Sequence, residues 1–162
     1  MLQAALRAAT LELFQSYGVS LRPVERGDHF PTEAYLGAVG LTAQGMSGSL
    51  VLGAGSETLR QSKPCATTDR DWTRELSNQL FGRVKMKLLR AGVEVWSTTP
   101  AVVDGQHVTP VMGSPRFNPL CFQSGHGEVV LAWAEVEVTA KVRVDPPKDP
   151  ETLPNEGDVI LF

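Results

Sequence analysis

Apolar residues recur at helical spacing from the start of the chain, where Leu2, Leu6, Ala9, Leu13 and Tyr17 are followed by Gly18. That period predicts an amphipathic helix over 2–17, closed by a C-terminal glycine. Beyond it the period drops towards two. Residues 19–25 alternate loosely, and Pro23, which has no N–H to give to a ladder, suits an edge strand. Two further strand-like runs, 35–42 and 48–52, flank a glycine-bearing connection at 43–47 and predict a hairpin. Residues 55–62 fit a short helix, and the polar, proline-bearing stretch 61–70 fits a loop.

The strongest pattern spans 71–90. Trp72, Leu76, Leu80, Val84 and Leu88 follow one another at i+4 steps, and Phe81 widens the stripe. Asp71 is the expected N-cap and Gly92 the expected C-terminal stop. A strand begins at 93–97, a second run follows at 100–103, and a hairpin closes the series, with 118–124 and 128–144 bracketing Gly125-His126-Gly127. Helix, strands, helix, strands is an α+β order rather than alternating βαβ. The expectation is a single domain over 1–144, with an antiparallel sheet of about five to six strands packed against the long helix and the N-terminal helix. Residues 145–162 turn acidic and proline-rich and read as a solvated tail, its apolar end Val159-Ile160-Leu161-Phe162 expected to dock on the body.

Composition narrows the function more than the fold. With 42% apolar and 20% charged residues, the 162-residue chain has the make-up of an ordinary globular domain, which excludes wholesale disorder. A net charge of -3 leaves no electrostatic footprint for nucleic acid. The longest apolar run, 129–134, falls far short of the ~20 residues of a membrane-spanning helix, so no membrane partner is expected. Arg7 and Glu12 interrupt the N-terminal apolar pattern, so no secretory signal is read there and a cytoplasmic location is the default. Cys65 and Cys121 stand far apart and are expected as inert thiols. His29, His107 and His126 are scattered without metal-ligand spacing, and no phosphate-cradling glycine loop or nucleophile elbow is present. A self-contained cofactor or metal enzyme is not visible.

What stands out is the polar side of the 71–90 helix, formed by Glu75, Asn78, Gly82 and Lys85. Glu75 and Asn78 are i,i+3 neighbours, and Gly82 follows one turn later. Asparagine and glycine are poor helix formers, glycine by ~1 kcal/mol relative to alanine. A merely solvated face needs neither, and a glycine there admits the close approach of another protein's backbone.

The run Asp71-Trp72-Thr73-Arg74-Glu75-Leu76-Ser77-Asn78-Gln79-Leu80-Phe81-Gly82, continuing through Arg83-Val84-Lys85-Met86-Lys87-Leu88, resembles the signature helix of the CheC/CheX family of chemotaxis phosphatases. Pro100-Ala101-Val102-Val103 with Gly105 is similar to the strand that follows this helix in the family, and residues 46–52 resemble its central hairpin strand. Together these cover most of 1–144. One ExxN helix is present, as in the CheX-like branch. The resemblance implies a CheX-like domain that speeds hydrolysis of the aspartyl phosphate on a CheY-like response regulator. It gives Asn78 the task of orienting the attacking water and Glu75 that of docking on the receiver's active-site lysine, with Asp71, Gly82 and Lys85 at the contact surface. No cofactor or metal is implied in this chain; the divalent cation, Mg, comes with the receiver. A homodimer is left open. So are two other readings of such a domain, a non-catalytic module that binds a receiver or another signalling partner, and a structural flagellar-switch component, in which the ExxN pair is generally absent.

Overall fold

The computed structural model describes residues 1–25, 35–105 and 118–138. His29, His107, the continuation of the last strand to 144 and the acidic tail at 145–162 lie outside the described residues. The chain runs α1 (Leu2–Ser16), β1 (Leu21–Val24), β2 (Tyr35–Ala43), β3 (Met46–Ala54), α2 (Ser56–Ser62), α3 (Asp69–Arg90), β4 (Val95–Ser97), β5 (Ala101–Asp104), β6 (Leu120–Ser124) and β7 (Val129–Val138). This is the α+β order read from the hydrophobic pattern. Both helix-stopping glycines also act as expected. Gly18 and Gly92 adopt φ of 75° and 80°, and the residues after them, Val19 and Val93, donate back to the carbonyls of Phe14 and Leu88. Each is a Schellman end that satisfies otherwise orphaned carbonyls.

All strand pairs in the seven-stranded sheet are antiparallel, in the order β1-β6-β7-β3-β2-β4, with β5 also paired to β2. Pro23 sits in β1, at the sheet edge, as its missing donor demands. The β2–β3 strands are longer than the sequence suggests: Ala43 pairs with Met46, leaving a two-residue turn in which Gly45 takes φ 73°. At the far edge β4 and β5 share one position alongside β2. The sheet is thus six positions wide although it counts seven strands, because one edge strand is broken at 98–100.

One face of the sheet carries the main core. Val39, Leu50, Leu52, Phe122, Val130 and Ala132 are buried against Leu6, Leu13 and Phe14 of α1 and Leu76, Leu80 and Val84 of α3. The predicted α3 stripe is buried in full, from Trp72 to Leu88. Thr73 and Ser77 join it, against expectation for polar residues. Their hydroxyls donate to the helix's own carbonyls at Asp69 and Thr73, both at 2.7 Å, so their burial leaves no group unsatisfied. A smaller cluster, Cys121 and Leu131 with Val24, Val129 and Trp133, lies on the opposite face. Neither cysteine forms a disulfide; Cys121 is buried and Cys65 exposed.

Short α2 is anchored from a distance. The Glu128 carboxylate, just after the β6–β7 turn, accepts from the backbone N–H of Glu57 and from the N–H and hydroxyl of Thr58. It satisfies donors that a helix start otherwise leaves open. Gly55 keeps the approach clear, since a Cβ there would lie 2.6 Å from the Glu128 carboxyl carbon. On the exposed side of α2, Arg60 and Gln61 hold the Glu57 carboxyl down from 4.5 to about 2. Among the described residues, no helix is long and apolar enough to cross a membrane.

Candidate functional site

The N-terminus of α3 differs from its sequence reading. Thr68, not Asp71, is the N-cap: its hydroxyl oxygen accepts from the Asp71 N–H at 3.1 Å and donates to Asp71 Oδ2 at 2.7 Å. Asp71 is the third helical residue, where its charge also suits the positive end of the helix. Four of the five residues from 67 to 71 are competent caps, so the pattern alone does not select one. Asp71 is further paired with Arg74 at 3.3 Å. Arg70 ties the same end of α3 to the Val102 carbonyl of β5 at 3.4 Å.

Glu75 and Asn78 are both exposed, one turn apart on the outer side of α3, while Leu76 and Ser77 between them are buried. They line an open groove of about 540 Å³ together with Asp71, Arg74, Ser97, Thr98, Thr99 and Pro100. The groove's second wall is the broken edge strand. Ser97 faces Leu41 and Ala101 faces Ala38, so three residues on the edge oppose two on β2. The extra residue makes a bulge, which kinks the edge and turns side chains out of the ladder. Thr98 secures it: its N–H donates to the Gly40 carbonyl at 3.0 Å, and its hydroxyl accepts from the Gly40 N–H at 2.9 Å. Pro100 cannot donate to a ladder and suits the end of the interruption.

Within this groove the Asp71 carboxylate is neutralised by Arg74, whereas no cation pairs with Glu75 among the described residues. Glu75 accepts one hydrogen bond, from the Gln79 amide at 2.7 Å. The Asn78 side chain makes none among the described residues. An exposed carboxylate and an exposed neutral amide therefore stand side by side, available to groups brought from outside. Gly82 is exposed one turn further on, and a Cβ there would meet no described residue within 4 Å, so packing among the described residues does not require a glycine. Gly82 and half-buried Lys85 lie beyond the lining of the groove, along the same side of the helix. Glu75, Asn78 and Asp71 are thus brought together, with Gly82 and Lys85 trailing away from them. Ser97, Thr98 and Thr99 were not legible as site residues, because a bulge depends on pairing register rather than on composition. Among the described residues no cluster of His, Cys, Asp or Glu is arranged to hold a metal ion.

No family model matches the sequence, and no curated protein matches it. Solved structures do match. A CheC-like superfamily protein from Shewanella sp. PV-4 superposes with a TM-score of 0.68 at 20% identity, over 84% of this chain and 97% of that one. The chemotaxis protein CheX from Vibrio vulnificus gives 0.67 at 17% identity, covering 85% and 97%. The fold is that of the CheX and CheC-like chemotaxis proteins. CheX from Borrelia burgdorferi, solved in a complex with CheY, BeF3 and Mg, also shares this CheX/CheC fold, with a TM-score of 0.57 at 13% identity over 83% and 94% of the two chains. In this chain the fold places the ExxN pair on the solvent-facing side of α3, beside the broken edge of the sheet.

Proposed function

We propose that the protein accelerates hydrolysis of the aspartyl phosphate on a CheY-like receiver domain. The observation that carries this reading is the pair Glu75 and Asn78, exposed one turn apart along an open groove beside the 97–100 bulge. A CheX relative of the same fold in complex with CheY supports the choice of partner. A shallow groove of this kind suits a partner's protruding reaction centre better than a free small substrate, which favours an enclosed pocket.

The chemistry asks little of this chain. A receiver supplies the acyl phosphate, the divalent cation and a lysine. Water attacks phosphorus as the bond to the aspartate oxygen breaks; that electron pair returns to the carboxylate, and the water's proton leaves with inorganic phosphate. What remains is to hold the water in line, a positioning effect. The Asn78 amide fits the task, since its carbonyl accepts from water and its NH₂ donates, without negative charge beside the phosphoryl oxygens. A carboxylate at 78 would be repelled. Glu75, unpaired with any cation among the described residues, takes the receiver's lysine and fixes the register of docking. Gly82 gives room to the receiver's loops, and Asp71 and Lys85 flank the contact.

The direct test is to incubate the protein with phosphorylated receivers from its own genome and follow phosphate loss. Faster loss from one of them supports the reading. Binding without faster loss assigns a binding module instead.

A further inference from the structure

Glu75 is held by two successive hydrogen bonds to the end of α1, and a ring contact there continues the connection to α2. Gln79 Nε2 donates to Glu75 Oε1 at 2.7 Å, and the Tyr17 hydroxyl donates to Gln79 Oε1 at 2.8 Å. The Tyr17 ring stands edge-on to Trp72, with centroids 5.0 Å apart and an interplanar angle of 87°. Trp72 Nε1 in turn donates to Ser62 Oγ at 2.8 Å, and that hydroxyl to the Leu59 carbonyl at 3.0 Å. Chemistry fixes the direction of the first two links. An ionised carboxylate only accepts, so Gln79 must turn its NH₂ towards Glu75 and its carbonyl towards Tyr17, which leaves the tyrosine as donor.

We propose that Gln79 and Tyr17 are positioning residues that preset Glu75 for the incoming receiver. This rests on the functional reading above and adds to it what orders the docking carboxylate. A free glutamate on a helix surface samples several rotamers, and a partner must freeze them on binding. Here one carboxylate oxygen is occupied by a neutral amide before any partner arrives. The carboxylate retains further acceptor sites for a lysine ammonium. Because Gln79 is neutral, it orders Glu75 without cancelling the charge that draws the lysine in. Tyr17 closes α1 and leans on Trp72 of the α3 stripe, so the rigid core sets the position of a surface group.

Tyr17→Phe removes the hydroxyl and keeps the ring against Trp72; Gln79→Leu removes both links at similar size. In the free protein, Tyr17→Phe is expected to shift the Gln79 side-chain amide and Glu75 carboxyl resonances. Towards a CheY-type receiver carrying Mg and BeF3, either variant is expected to bind about two- to tenfold more weakly. Towards the receiver charged with acetyl phosphate, KM rises by a similar factor and kcat is unchanged. In a Glu75→Ala background neither substitution has any further effect on affinity, whereas a role confined to helix packing would leave the losses additive. Unchanged affinity in both single variants, or additive losses, overturns the proposal while leaving phosphatase activity of the wild type standing. A wild type that engages no receiver, with the resonance shifts still present, removes the functional reading and with it the purpose assigned to this network.

Discussion

A Cβ on Gly37 would lie 1.9 Å from Ser77 Oγ, so β2 and α3 touch at a point where neither can carry a larger side chain. Thr73's carbonyl lies 3.1 Å from the same position. This contact sets how closely α3 sits on the sheet. It also orients the helix, because burying Ser77 turns Glu75 and Asn78 outwards. Gly37→Ala is expected to destabilise the fold by about 3 kcal/mol, since backbone and helix must part to admit the methyl group. Chemical denaturation measures it, and adding Ser77→Gly should recover part of the loss.

Gly82 presents the opposite case. No described residue occupies the space a side chain would take, yet glycine weakens an exposed helix interior by ~1 kcal/mol relative to alanine. Gly82→Ala is therefore expected to raise stability by up to ~1 kcal/mol while weakening receiver binding by about fivefold or more. Thermal unfolding and calorimetric titration read the two effects separately. A variant that is more stable and binds equally well would show that the glycine has no part in docking.

Thr68 links helix stability to the site, because its hydroxyl both caps α3 and holds Asp71 at the groove's rim. Thr68→Ala should lower stability by ~1 kcal/mol, and Thr68→Ser should retain most of it. The midpoint of thermal unfolding distinguishes them.

How far these features could be read from sequence follows from the physics of each. The α3 stripe from Trp72 to Leu88 and the two closing glycines were legible because burial and left-handed backbone impose local rules on single residues. The edge position of Pro23 was legible for the same reason. Glu75 and Asn78 were visible as an oddity on a polar face, and the exposure of both follows from the burial of the stripe opposite. The bulge at 98–100 was not, since it is defined by which residues of β2 stand across from it. Nor were the tie from Glu128 to Thr58 or the tie from Tyr17 to Gln79, which join residues 70 and 62 positions apart. Burial of Thr73 and Ser77 escaped the hydrophobic pattern because local hydrogen bonds remove the penalty that polarity would otherwise carry.

Replacing the Asn78 amide while leaving Glu75 in place separates chemistry from docking. The decisive measurement is the rate of phosphate loss from a charged receiver with Asn78→Ala, beside its affinity for the same receiver. Loss is expected to fall to the receiver's own rate, a drop of about a hundredfold or more, with affinity within about twofold of wild type. Dephosphorylation by Asn78→Ala as fast as by the wild type would contradict the account.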